Sequence, residues 1–324
     1  MSSIDRSLFL DRFLSYVKYD TQSSEESETY PSTMKQLELS KKLVNELTEL
    51  GLEDVELTEH GYVFATLPAN VDFKVPTIGL IAHVDTSPDV SGENVQPVIH
   101  KNYQGGDIVL PKDKSQVIEF DMNPALKNCI GHDIITTDGT TLLGADNKAG
   151  IAEIMGAVIF LLNNPEIKHG KIRVAFTVDE EVGTGTKYFN VKQYGADYAY
   201  TIDGETAGEV EDETFCADTA IVKVKGVNVH PGYAKGQMIN SIKIASEFIN
   251  RLPNGKVSPE TTEKREGYLH PNGMKGSVEL TEIVMLVRDF TVEGLKEKEA
   301  LLENIAKELT DKYYPGSVSI EIKE

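Results

Sequence analysis

Residues 171–183, KIRVAFTVDEEVG, constrain this chain more than any other stretch. Val174 to Val178 form an apolar run broken only by Thr177, the pattern of a strand covered on both faces. The run ends in Asp179, Glu180 and Glu181, and a glycine turn follows at Gly183. Carboxylates gathered at the end of a buried strand repel one another unless something compensates their charge. A divalent metal is the simplest compensation. On an extended backbone neighbouring side chains point opposite ways, so one glutamate is expected on a metal and the other at a water. Taken alone, the stretch also reads as a solvated acidic turn.

The surroundings favour an α/β fold. Apolar residues at helical spacing predict helices over residues 4–19 and 34–50, the second stopped by Gly51. Between them lies a polar loop, residues 21–33. Strands are expected at 62–67 and 77–84, short strands and turns over 92–143, a helix at 148–163, and strands at 171–178 and 198–202. Buried strands alternating with helices signal a mostly parallel sheet. The texture changes near residue 210. A strand at 219–229, a helix at 237–252, strands near 275–280 and 283–290, a helix at 292–312 and a strand at 317–323 give the order β-α-β-β-α-β of a ferredoxin-like unit. The expected domains are therefore residues 1–210 and 211–324.

With 324 residues the chain has room for two cores. A net charge of −20 argues against nucleic acid or an anionic membrane as partner. Cys129 and Cys216 are the only cysteines and neither has a CxxC neighbour, so no disulfide framework is expected. The N-terminus lacks the basic-then-apolar pattern of a signal peptide. A soluble cytoplasmic protein is the expectation.

Four places in the first 203 residues put an acid or a histidine just beyond a buried strand or at a helix start, where ligands bind in open α/β sheets. His83 and Asp85, in AHVDTSPD, are spaced to share a face, and the carboxylate can take one ring N–H while the other nitrogen ligates. Asp146, in LLGADNKAG, reads either as a helix N-cap or as a carboxylate bridging two metals. Glu180 and Glu181 are the third place, and Asp203, closing YAYTID, is the fourth. Together they describe a two-zinc centre that would polarise a carbonyl and activate water. Glu180 is the candidate general base, with Glu181 as the ligand.

The motifs AHVDTSPD, TTDGTTLLGADNKAG, VAFTVDEEVG, YTIDGE and NVHPGYAKGQMIN, in order along the chain, resemble the peptidase T family. That family lies in the dizinc superfamily of carboxypeptidase G and the aminoacylases. The resemblance implies zinc ligation by His83, Asp146, Glu181 and Asp203, with Asp146 bridging, Asp85 orienting His83 and Glu180 as base. It implies hydrolysis of tripeptides at the N-terminal residue, and a ferredoxin-like lid inserted into the catalytic domain. In the lid, His230 corresponds to the histidine that contacts the oxyanion. Asn240 and Arg288 are candidate contacts to the peptide backbone or its C-terminal carboxylate. On spacing alone His230 is a turn residue and Arg288 a surface charge. A homodimer through the lid is left open.

The family pattern continues beyond the lid, with a Gly-Gly-Thr-Asp-Gly stretch and a last zinc-binding histidine. No histidine follows His270 in this sequence. A truncated chain is therefore expected, with one metal site a ligand short, weak or absent peptidase activity, and exposed apolar surface. Two alternatives stand beside this reading. One is another amidohydrolase of the superfamily, a dipeptidase or N-acyl amino acid deacylase. The other is a catalytically silent metal- or peptide-binding fragment.

Overall fold

The apolar run of the DEE segment becomes the middle strand of a five-stranded sheet. The structure, a computed structural model, describes residues 6–204, 206–253 and 255–323. It forms two compact units, Met1–Glu209 and Val210–Glu324.

The first unit begins with helices α1 (Ser7–Tyr16) and α2 (Gln36–Glu49), then strands β1 (Glu53–Leu57), β2 (Val63–Leu67) and β3 (Ile78–His83). Short pieces follow: β4 (Val98–His100), β5 (Ile108–Val109), β6 (Val117–Ile118), α3 (Ala125–Asn128) and β7 (Ile134–Thr136). Helix α4 (Ala145–Asn163), β8 (Ile172–Thr177), α5 (Val191–Tyr194) and β9 (Tyr198–Thr201) complete it. Residues 4 and 5 of the first expected helix lie outside the described residues.

The sheet order is β1-β2-β8-β3-β9. It is mixed: β8, β3 and β9 are parallel, whereas β1, β2 and β8 pair antiparallel. The parallel strands are the ones that end at the acids. Helix α4 packs on β3 and against α1, and α2 packs on β1 and β2. Phe64, Val174 and Phe176 of the sheet and Leu39, Leu43, Ile151 and Met155 of the helices are almost wholly buried in one core. Each such side chain contributes about 1.5–3 kcal/mol of burial. Strand β1, EDVEL, is absent from the sequence expectations because an acidic edge strand has no apolar run to reveal it. Strands β4 and β7 pair with each other, as do β5 and β6, giving two small ribbons between the main strands.

The second unit holds β10 (Cys216–Lys225), α6 (Ser241–Asn250), β11 (Tyr268–Gly276), β12 (Leu280–Asp289), α7 (Val292–Lys312) and β13 (Val318–Lys323). The order β11-β12-β10-β13 is antiparallel throughout, the ferredoxin-like arrangement expected. Ala220, Val222 and Val224 of β10 and Ile283, Met285 and Val287 of β12 alternate onto the helix side and join Ile244, Phe248, Leu302 and Leu309 in a second core. One strand is displaced from its expected place near 275–280: β11 runs earlier, and Ser277 to Leu280 form the turn after it. Pro271 and Gly273 hide it in the sequence. Both are tolerated because β11 is an edge strand, with its register broken between them.

Glu247 ties α6 to α7, receiving Arg251 at 2.7 Å, Lys312 at 2.7 Å and the Tyr313 hydroxyl at 2.8 Å. Hydrogen bonds from Lys312, Arg251 and Tyr313 hold its carboxyl down at about 2. Among the described residues, no helix is long and apolar enough to cross a membrane.

Candidate metal centre

Because β3 and β8 are parallel neighbours in register, with His83 opposite Thr177, their ends bring His83 and the DEE turn to one side of the sheet. His83 is the last residue of β3 and its side chain is 2% exposed. Its Nδ1 lies 3.0 Å from the Asp85 carbonyl oxygen and 3.2 Å from Asp85 Oδ1. With the Nδ1 proton donated to Asp85, Nε2 is the nitrogen left to ligate. That atom stands 2.9 Å from Asp146 Oδ1, 3.7 Å from Glu180 Oε2 and 3.7 Å from Asp203 Oδ1.

Asp85 has a second task that sequence spacing did not disclose. It is fully buried, and its Oδ1 and Oδ2 accept the backbone N–H groups of Glu180, at 3.0 Å, and Glu181, at 3.1 Å. One carboxylate thus orients the imidazole and holds the two-glutamate turn.

The turn differs from expectation in its backbone. Asp179 has φ +57°, and Glu180 to Gly183 form a turn, so the glutamates do not alternate along an extended strand. They diverge because the chain bends between them. Glu180 joins His83 and Asp203 in one group of ligand atoms, and Glu181 joins His83 and Asp146 in another.

Asp146 is not a helix N-cap. Gly144 occupies that position, with φ +75° and no side-chain cap, and the Asp146 carboxylate goes to His83. The first residues of α4 are irregular: Asp146 and Asn147 have non-helical angles, and the peptide bond between them is cis. Buried Lys148 fastens this end by donating to the Tyr19 carbonyl oxygen at 2.7 Å. Gly150 does the rest. A Cβ there would collide with the Ile202 carbonyl oxygen and the Asn147 side chain. Only glycine lets α4 abut the end of β9, which sets Asp146 beside Asp203.

The electrostatics are those of acids short of positive charge. Burial pushes the His83 imidazole down, but hydrogen bonds to Asp146, Asp203 and Asp85 overcome it and carry it up to about 12. The His83 hydrogen bond holds Asp146 below the usual carboxylate range. Burial, reinforced by the Asp146 charge, pushes Glu181 up to about 7. Burial also raises Glu180, with the charges of Asp203, Asp85 and Asp146 acting the same way. One imidazole serves five carboxylates, and cations would relieve them.

The donors fit a metal. In each group the ligand atoms lie within 4.8 Å of one another. Two bonds of about 2 Å to one zinc ion allow roughly 4 Å between donors, so small side-chain adjustments suffice. Imidazole and carboxylate suit zinc and similar divalent ions.

The lid candidates have local partners within their own unit. His230 is exposed, and its Nδ1 accepts the Gly232 N–H at 3.1 Å at the start of a short 3₁₀ turn. Asn240 caps α6, accepting the Ile242 N–H at 2.9 Å. Arg288 is half-buried rather than a free surface charge, donating to the Asp218 and Val287 carbonyl oxygens, each at 2.9 Å.

Residues 213–317 match the family described as the peptidase dimerisation domain. Peptidase T of Halothermothrix orenii is 54% identical over 315 residues, 97% of this chain and 77% of that protein. Peptidase T of Clostridium acetobutylicum is 52% identical with the same coverage. Among solved structures, the Bacillus cereus aminopeptidase PepT superposes with a TM-score of 0.70 at 24% identity, over 99% of this chain and 76% of that one. A Bacillus subtilis dinuclear metal binding peptidase superposes with a TM-score of 0.57 at 15% identity, over 98% of this chain and 74% of that one. Identity of this degree over nearly the whole chain leads to one assignment: the chain belongs to the peptidase T family of metallopeptidases, hydrolases of the aminopeptidase class.

Proposed function

We propose that the chain's residues serve release of the N-terminal residue from tripeptides, with His83, Asp146, Glu181 and Asp203 as the side chains that would hold two zinc ions. The observation that carries this reading is His83 Nε2 standing within 3.7 Å of Asp146, Glu180 and Asp203. When bound, the ions lower the pKa of water and polarise the scissile carbonyl. Everything else falls to the chain's own groups. Asp85 fixes the His83 ring and the N–H groups of the glutamate turn. Glu180, whose side chain is 53% exposed, is free to reach a water beside the ligands. It takes a proton from that water as the water's oxygen bonds to the carbonyl carbon, and gives it to the departing amine as the C–N bond breaks. By correspondence with the family motifs, Asn240 and Arg288 are candidate contacts to the peptide backbone or its C-terminal carboxylate, and His230 is a candidate contact to the oxyanion.

Peptide substrate is what a member of this family requires, and the dimerisation-domain match supports pairing through the lid. The paucity of cysteine supports a cytoplasmic setting. Substrate profiling with zinc present tests the reading. Release of the N-terminal residue from tripeptides, but not from dipeptides or N-acyl amino acids, is the expected result. Hydrolysis confined to dipeptides or acyl amino acids would replace it with another amidohydrolase of the superfamily.

A further inference from the structure

Asp179 is the one acid of the DEE triplet with no part in the metal groups, yet it is completely buried. A buried carboxylate requires compensating hydrogen bonds. Its Oδ2 accepts the Ser32 N–H at 2.6 Å, and its Oδ1 accepts the Ser32 hydroxyl at 2.5 Å and the Gln36 amide Nε2 at 2.6 Å. The bracket closes from the other side, because the Asp179 N–H donates to Gln36 Oε1 at 3.1 Å. Gln36 is itself wholly buried.

The donors come from the end of the polar loop and from the first residue of α2, and the loop grips the centre at more than one place. Tyr30 donates to the Thr184 carbonyl oxygen at 3.3 Å, at the far end of the glutamate turn. Near its start the loop is stitched to the end of β3: the Ser23 N–H donates to the Thr86 carbonyl oxygen at 3.0 Å, and the Thr86 N–H to the Thr21 carbonyl oxygen at 3.3 Å. Ser24 N–H donates to Ser32 Oγ at 3.0 Å and joins the two ends. One loop therefore spans from the strand end bearing His83 and Asp85 to the turn bearing Glu180 and Glu181.

We propose that Asp179 is a positioning residue for this reaction: with Ser32 and Gln36 it sets where Glu180 and Glu181 stand relative to His83. The inference rests on the metal-centre reading above. Asp85 holds the N–H groups of the turn from within, and Asp179 holds its entry from outside. With φ at +57°, Asp179 is also the point at which the chain leaves the strand direction. Charge-assisted hydrogen bonds of this kind are short and directional, and so suited to fixing an angle.

The test uses Asp179→Asn, Gln36→Glu and their combination in the full chain, with cobalt(II) as the metal probe. The single Asp179→Asn change puts an amide N–H₂ where the Gln36 amide and the Ser32 hydroxyl now donate. The double change reverses the polarity of the bracket and conserves net charge. Expected for Asp179→Asn is a kcat lowered about ten- to a hundredfold with KM within about threefold, and an altered visible spectrum of the bound cobalt. Asp179→Asn/Gln36→Glu should recover both.

An Asp179→Asn protein with unaltered kcat and cobalt spectrum overturns the proposal. So does a double variant that regains the wild-type unfolding temperature but neither rate nor spectrum, since the role would then be structural only. Should Asp179→Asn not fold, Ser32→Ala removes only one donor from the same carboxylate. A reduced kcat at constant KM then supports the bracket, and no change overturns it. Wild-type chain that takes up no cobalt would bring down the metal-centre reading and this one with it.

Discussion

Glu180 and Glu181 are neighbours with different company, and substitution can separate their tasks. Glu180→Ala should lower kcat by about 10²–10⁴-fold, the span of general acid–base catalysis, while elemental analysis finds the metal content of the wild type. Loss of metal together with rate would make Glu180 a ligand and shift the base elsewhere. Gly150 is the second sensitive position. Gly150→Ala should cost roughly 1–3 kcal/mol of stability in urea unfolding, since the added methyl presses on Ile202 and Asn147. His83, Asp146, Glu181 and Asp203 stood out in the sequence as candidates because each lies at or just past a strand end or at a helix start, and local pattern marks such places. Ser32 and Gln36 were not. They meet Asp179 from 147 and 143 residues away, and a serine in a polar loop or a glutamine opening a helix carries no signal of burial. Nor could spacing show the left-handed bend at Asp179, a conformation that residues other than glycine adopt rarely.

Helix α7 was legible almost to the residue, because Leu295, Leu302, Ile305 and Leu309 repeat at helical period and Thr291 caps the start, accepting the Gly294 N–H at 3.0 Å. Strand β11 was misplaced because proline and glycine interrupt it. Between α6 and α7, Glu247 supplies a pH-dependent tie that no periodicity reveals. Its pKa is about 2 in the folded chain against an ordinary value of 4.5. A depressed carboxyl stabilises the fold above its unfolded pKa, and that contribution is lost as pH falls from about 4.5 toward 2. The partners facing it are Arg251 and, from α7, Lys312 and Tyr313, with Glu308 on the far side of Arg251. Amide hydrogen exchange of α6 and α7, taken relative to the intrinsic rate at each pH, should therefore quicken on acidification in the wild type. In Glu247→Gln it should be faster at neutral pH and depend less on acid. Identical exchange in both would show that the tie contributes nothing.

Each unit of the molecule has its own core, and residues 206–215 between β9 and β10 are exposed without regular structure. The domain boundary at residue 210, proposed from the change in sequence texture, is testable by limited digestion with a glutamate-specific protease. Cleavage near Glu209, Glu211 or Glu213 should leave two resistant fragments. Early cutting inside β10 or α4 would place the boundary elsewhere. Metal should stabilise the first unit, because only its folded form gathers His83, Asp146, Glu181 and Asp203. At a hundredfold excess over the dissociation constant, an ion adds about 2.7 kcal/mol. Chelation should lower the unfolding temperature and zinc should restore it; a melt indifferent to both would contradict the site.

The pairing of His83 with Thr177 across β3 and β8 has one more consequence. Side chains in a strand alternate, so sliding β3 by a single position would send the imidazole to the opposite face and leave the acids with no nitrogen to share. A misthreaded molecule would then look folded to any probe of backbone content yet refuse the ion. Titrating a preparation with metal thus counts the correctly threaded molecules.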